Sequence, residues 1–342
     1  MKPMPPLLEV RNLTVEVPAK RGRPPVRIIE DISYDLDYHQ TLGIVGESGS
    51  GKSMQALAML GLLPLRKGGR IQGEVLFQGK DLLTLSPKAL REIRGGQIGM
   101  IFQEPMTSLN PVLTIGRQLA EPLVHHMGMS YGKARRHAVD LLGLVGIPDA
   151  AERIRQYPFQ FSGGMRQRAM IAMAIACKPK LLIGDEPTTA LDVTIQAQII
   201  QLIRDLRDEM RMSIIWITHD MGVVAAMADR VQVLYAGKIM ETGPVEQVFG
   251  QPYSAYTWAL LQSLPKRGQR PREPLFQIAG QPINPALRPP GDPFAPRNPF
   301  ATPRCHLEMP PLRPVSDVAP QHRVAAWYDL PRCLEQQQEN NP

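Results

Sequence analysis

Gly46-Glu47-Ser48-Gly49-Ser50-Gly51-Lys52-Ser53 is the stretch on which the reading of this chain turns. It follows a short apolar run, residues 41–45, and precedes residues 53–63, whose apolar positions recur at helical spacing. A strand, a glycine-rich turn and a helix in that order fit the phosphate-binding pattern G-x-x-x-x-G-K-[ST] in full. The glycines let backbone N–H groups converge on phosphate oxygens, and the helix N-terminus adds partial positive charge. Lys52 is then placed to reach the β- and γ-phosphates, and the Ser53 hydroxyl to ligate Mg²⁺.

A second element complements this loop. Leu181-Leu182-Ile183-Gly184-Asp185-Glu186 is an apolar strand that ends in two acids. A buried strand delivers its terminal carboxylates to the sheet edge, where nucleotides bind in open α/β folds. Asp185 suits Mg²⁺, directly or through water. Glu186 suits a general base that polarises an attacking water. Around these two motifs the pattern alternates. Residues 7–17, 28–36, 73–77, 98–102, 213–218 and 231–234 read as strands. Residues 115–157, 164–177, 195–209 and 222–228 read as helical, with 134–144 the clearest amphipathic stretch.

Composition narrows the class. The 342 residues carry a net charge of +7, and the basic residues are scattered apart from clusters at Lys20-Arg21-Arg23 and Lys266-Arg267-Arg270-Arg272. Scattered charge reads as a solvated surface, and no nucleic-acid partner is expected. Cys177, Cys305 and Cys333 form no disulfide framework, which fits a reducing compartment. The proline-rich opening lacks the apolar segment of a secretory signal. No apolar run approaches the roughly 18 residues that a membrane span requires. Beyond residue 264 the character changes: half of the 34 prolines fall there, which predicts a separate module that is loop-rich or partly disordered.

Further landmarks refine the family. Phe161-Ser162-Gly163-Gly164-Met165, followed by Arg166-Gln167-Arg168 and an apolar helix, would form a second anion cradle at a helix N-terminus. With Gln103 in Phe102-Gln103-Glu104-Pro105, Thr189-Ala190-Leu191-Asp192, and His219 after an apolar strand, the set resembles the ATP-binding cassette (ABC) ATPases over roughly residues 7–265. The resemblance implies an α/β fold, a P-loop NTPase cassette with a RecA-like core, an antiparallel β subdomain and a helical subdomain. It implies ATP and Mg²⁺ as ligands, with Gln103 sensing the metal and His219 contacting the γ-phosphate. Ser162, Gly163 and Gly164 would serve the nucleotide of an opposite subunit, and Asp192 would lie at the seam.

Finer similarity is to the oligopeptide/dipeptide importer ATPases. It rests on Pro105-Met106-Thr107-Ser108-Leu109-Asn110-Pro111, on the stretch from Thr188 to Gln198, and on Met165 in the signature. This implies an ATP-hydrolysing subunit of an importer, an ABC domain over 1–264 with its helical subdomain about 104–161, and an extension over 265–342. The implied partners are two transmembrane permease subunits, a second ATP-binding subunit and, indirectly, an extracytoplasmic solute-binding protein. The implied location is the cytoplasmic face of the cell membrane.

Two departures stand out. Relatives often hold an iron–sulfur cluster on four extension cysteines, but here Asp292 and Asn298 fall at two of those positions and Ala326 at a third, leaving Cys305. No cluster is expected. The aromatic ring that usually stacks on adenine corresponds to Val17. A soluble ABC ATPase acting on nucleic acid would carry tandem cassettes or a coiled-coil insertion, which the segment from Gln103 to Ser162 lacks. A metabolic P-loop kinase would need a pocket for its acceptor. The cargo itself leaves no mark on this chain.

Overall fold

The computed structural model describes residues 5–18, 25–65, 68–104, 108–189, 191–265 and 276–340. The two basic clusters, Pro105-Met106-Thr107 and Ala190 lie outside the described residues. Along the described chain run strands β1 (Leu8–Val17), β2 (Val26–Leu36), β3 (Thr41–Val45), β4 (Arg70–Phe77), β5 (Lys80–Asp81), β6 (Ile98–Ile101), β7 (Leu181–Asp185), β8 (Ser213–Ile217), β9 (Arg230–Tyr235), β10 (Lys238–Pro244), β11 (Arg313–Pro314) and β12 (Arg323–Val324). The chain divides into two compact units, one built mainly from Phe77–Thr218 and the other from Glu9–Asp35, Leu42–Leu76 and His219–Pro342.

In the first unit β6, β7 and β8 run parallel, with Ile98 opposite Leu181 and Leu181 opposite Ser213. Every residue of β7 and β8 is buried. Their unbroken apolar runs are what a parallel strand covered on both faces requires. Helices Ile115–Met127, Tyr131–Leu144 and Gly163–Ile175 pack against one another. The stretch read as one helical region is therefore broken, and Gly128, left-handed at φ 62, ends the first of these helices. The helix Val193–Met210 buries Ile199, Ile203 and Leu206, one face at helical spacing.

In the second unit β3 lies parallel to β9, β9 and β10 form an antiparallel pair, and β12 extends that sheet from β10. The helix after the phosphate loop, Lys52–Met59, is shorter than its sequence pattern predicts. Gly61 turns left-handed at φ 58, and Pro64 follows. Both disfavour continuation.

From residue 276 to 340 the proline-rich stretch is more ordered than composition predicts. Phe294, Cys305, Val324, Ala326 and Tyr328 share one core with Val231, Val233, Tyr235 and Tyr256. Tyr235, Tyr256 and Phe294 form an aromatic triangle with ring centroids 4.6, 5.4 and 5.0 Å apart. β12 is also anchored by a buried pair, His322 Nε2 to Glu241 Oε1 at 2.8 Å. Glu241 accepts from the backbone N–H groups of Tyr253 and Ser254 as well, so the buried carboxylate is well satisfied. No helix among the described residues is long and apolar enough to cross a membrane.

Candidate nucleotide site

The second unit carries the phosphate loop. β3 ends at Val45, and the chain turns through Gly46, Gly49 and Gly51 at φ 151, 78 and 104. Side chains rarely adopt this backbone. A Cβ on Gly46 would also lie 2.1 Å from the Leu234 carbonyl, and one on Gly51 would lie 2.5 Å from Ile29 Cδ1. Glycine is thus required twice over at Gly46, where the contact is backbone, and by its conformation at Gly51. Lys52 is buried, and its Nζ donates to the carbonyls of Gly46 at 2.8 Å and Glu47 at 3.1 Å. The loop is curled around its own ammonium group. Ser50 Oγ is buried without a hydrogen-bond partner, a donor unsatisfied within the protein. A cradle of backbone N–H groups, a cation and an orphan hydroxyl fits a polyphosphate anion.

The first unit carries the acids. Asp185 is the buried last residue of β7, and Glu186 follows half-buried, its N–H donating to the Ile217 carbonyl at 2.9 Å. Glu186 has φ 46, a left-handed conformation uncommon for a residue with a side chain. Its Oε2 accepts from Gln103 Nε2 at 3.3 Å and from Thr189 Oγ1 at 3.1 Å. Gln103 itself is exposed, just beyond β6. His219 stands exposed two residues after β8, ahead of the helix Met221–Met227 that Asp220 caps.

Ser162 caps the helix Gly163–Ile175, its Oγ accepting from Met165 N at 3.3 Å. Asp192 caps Val193–Met210 in the same way, accepting from Ile195 N at 2.9 Å. The structure brings these two helix starts together. A Cβ on Gly164 would lie 3.4 Å from Ile195 Cγ2, and Arg168 reaches Gln198 at 3.1 Å. Ser162, Gly163 and Asp192 are exposed, and nothing lies within 4 Å of where a Gly163 Cβ would be. This N-terminal turn, with its positive end facing solvent, can receive an anion or a partner.

Sequence reasoning missed three residues around the loop. The Glu47 N–H donates to the Tyr256 hydroxyl at 2.8 Å, and Arg297 reaches both Glu47 carboxylate oxygens, at 2.6 and 3.1 Å. Tyr235 accepts from the same guanidinium at 3.1 Å. Burial pushes the Tyr256 hydroxyl pKa upward. For Arg297 burial works downward, but the hydrogen bonds to Glu47 and Tyr235 outweigh it and hold the guanidinium above its ordinary value.

Asp292, Asn298, Cys305 and Ala326, the positions compared with the relatives' cluster cysteines, do not offer four thiolates. Asp292 and Asn298 spend one oxygen each on the backbone N–H groups of Phe294 and Phe300, at 2.8 and 2.9 Å. Cys305 is buried and its sulfur accepts from Thr302 N at 3.4 Å. A thiol, a carboxylate, an amide and the methyl of Ala326 are not four thiolates, so these residues do not fit an iron–sulfur cluster.

Comparison with known proteins agrees with this geometry. A family model described as "ABC transporter" matches residues 29–189, and one described as "Oligopeptide/dipeptide transporter, C-terminal region" matches residues 240–305. The oligopeptide transport ATP-binding protein OppD of Bacillus subtilis is 50% identical over 321 residues, covering 94% of this chain and 88% of the relative. The dipeptide transport ATP-binding protein DppD of Lactococcus lactis is 48% identical over 329 residues, covering 96% and 92%. Among solved structures, the dimeric post-hydrolysis state of the ATP-binding cassette MJ0796 bound to ADP and Pi aligns with a TM-score of 0.62 and 27% identity. It covers 70% of this chain and 98% of that one.

Proposed function

Because this chain belongs to the ABC transporter family, among its oligopeptide/dipeptide ATP-binding proteins, we propose that it binds and hydrolyses ATP to energise import of peptides or similar small solutes. The observation that carries the catalytic reading is Glu186, fixed at the end of a fully buried strand with Gln103 and Thr189 on one carboxylate oxygen. A carboxylate so held at the end of a buried strand has the form of a general base.

The remaining roles follow from residue chemistry. The loop Gly46, Glu47, Ser48, Gly49, Ser50, Gly51 cradles the phosphates, and Lys52 leaves its carbonyl partners to meet them. Ser53 and Asp185 would hold Mg²⁺, with Gln103 acting partly through water, and the ion would neutralise charge on the phosphate oxygens. His219 contacts the γ-phosphate. Ser162, Gly163 and Gly164 close on the nucleotide of a second ATP-binding subunit, and Asp192 lies at that seam. The open surface over Gly163 supports this assignment.

The ATPase domain spans 1–264, with a helical subdomain at about 104–161, and 265–342 forms the extension. The helical region carries exposed apolar side chains, Val112 at 75% and Phe159 at 64%, with Tyr157 stacked on Phe159. Such surface suits docking to two permease subunits at the cytoplasmic face of the membrane. An extracytoplasmic solute-binding protein then acts on the assembly indirectly.

Reconstitution with its permease partners in vesicles tests this reading. Phosphate release that rises when peptide and binding protein are supplied is the expected result. Transfer of the γ-phosphate to a small-molecule acceptor, or no ATP binding at all, would overturn it.

A further inference from the structure

Glu47 is fixed at three of its groups by three different elements. Its carboxylate takes both terminal nitrogens of Arg297, its N–H donates to the Tyr256 hydroxyl, and its carbonyl accepts from Lys52. Arg297 is not free to wander. Its Nε donates to the Ala279 carbonyl at 2.8 Å, its Nη1 also reaches the Tyr235 hydroxyl, and its side chain is only 6% exposed. The ring of Phe294 lies 5.7 Å from the guanidinium carbon. A planar fork pinned on its far side presents the other to a carboxylate in one orientation, which a flexible ammonium could not do.

The position of that carboxylate gives the contact its meaning. Glu47 is the second residue of the phosphate loop, between Gly46 and Ser48. An unpaired carboxylate there would repel the arriving triphosphate, and the less solvent reaches it the stronger the repulsion. It would also be free to draw Lys52 away from the phosphates.

We infer that Arg297 is a positioning residue for nucleotide binding: by pairing with Glu47 it holds the phosphate loop in register and cancels the loop's own negative charge. The C-terminal extension thereby acts on ATP affinity through a single side chain. This inference rests on the nucleotide reading of the loop.

The test uses the full chain, a fluorescent ATP analogue with Mg²⁺, and a thermal melt of every variant. Arg297→Met is expected to raise the dissociation constant by about fivefold or more, equivalent to about 1 kcal/mol. Glu47→Gln placed in that background removes the stranded carboxylate, and affinity should return to within about twofold of the Glu47→Gln protein. A merely structural role would lower the melting temperature without such recovery. Should Arg297→Met fail to fold, Arg297→Lys keeps the charge without the fork, and an intermediate affinity is expected. A folded Arg297 variant that binds like the wild type, or a double variant no better than Arg297→Met, overturns the inference. A wild-type chain that does not bind the analogue would instead remove the nucleotide reading itself.

Discussion

The Gln103 side-chain amide donates to the Glu186 carboxylate, Nε2 to Oε2 at 3.3 Å, across 83 residues of sequence. Glu186 also holds a left-handed backbone at φ 46. Residues in sparsely populated backbone regions cluster at sites where the surroundings over-determine them. The amide therefore orients a carboxylate that the backbone has already committed. Gln103→Ala frees one side of it, so turnover should fall roughly tenfold while ATP affinity changes little. Steady-state phosphate release across ATP concentrations separates the two. An equal loss in both would mean that Gln103 acts in binding instead.

Gly163 offers a cleaner separation of folding from function. A methyl there meets nothing within 4 Å in the chain, and Gly163 is the first residue of its helix. Gly163→Ala should leave stability unchanged or raise it by up to about 1 kcal/mol. On the proposal that a neighbouring subunit's nucleotide closes over this surface, hydrolysis should drop at least about tenfold. Melting temperature and ATPase rate, measured on the same preparation, check both halves. Unimpaired hydrolysis would mean that nothing approaches this helix start.

Asp292 makes stability depend on pH. The residue is 1% exposed, and burial, opposed by the Phe294 N–H, pushes its pKa from the ordinary 3.8 up to about 6. The folded state thus holds this proton more tightly than the unfolded chain. The resulting stabilisation is full below 3.8, declines as pH rises towards 6, and is gone above it. Asp292→Asn keeps the acceptor for Phe294 and removes the buried charge. It should stabilise the protein by about 1–3 kcal/mol at pH 8 and by much less at pH 4. Denaturant melts at the two pH values measure the difference. An identical effect at both would show that charge is not the cause.

The parts legible in sequence were those whose causes are local. β3 and β7 are short apolar runs because both of their faces are covered, and the glycine turn after β3 spells out its own backbone. Ser162 announces a helix start by capping chemistry that operates over three residues. What stayed hidden depends on distant partners. Arg297 meets Glu47 across 250 residues and Tyr256 meets it across 209, and no spacing rule links them. β10 was missed because Glu241 sits in its middle, and only distant partners, His322 and the N–H groups of Tyr253 and Ser254, make that buried carboxylate tolerable. The proline-rich stretch read as loop because prolines suppress periodicity. Its core residues Phe294, Cys305 and Tyr328 are scattered and carry no repeat.

Glu186→Gln puts the whole account at risk in one comparison. The substitution preserves size and the oxygen facing Gln103 and Thr189, and removes only the capacity to take a proton from water. Single-turnover phosphate release, measured beside ATP binding, should show affinity retained and turnover reduced at least about a hundredfold. Release at close to the wild-type rate would contradict the assignment of Glu186 and, with it, the hydrolytic mechanism.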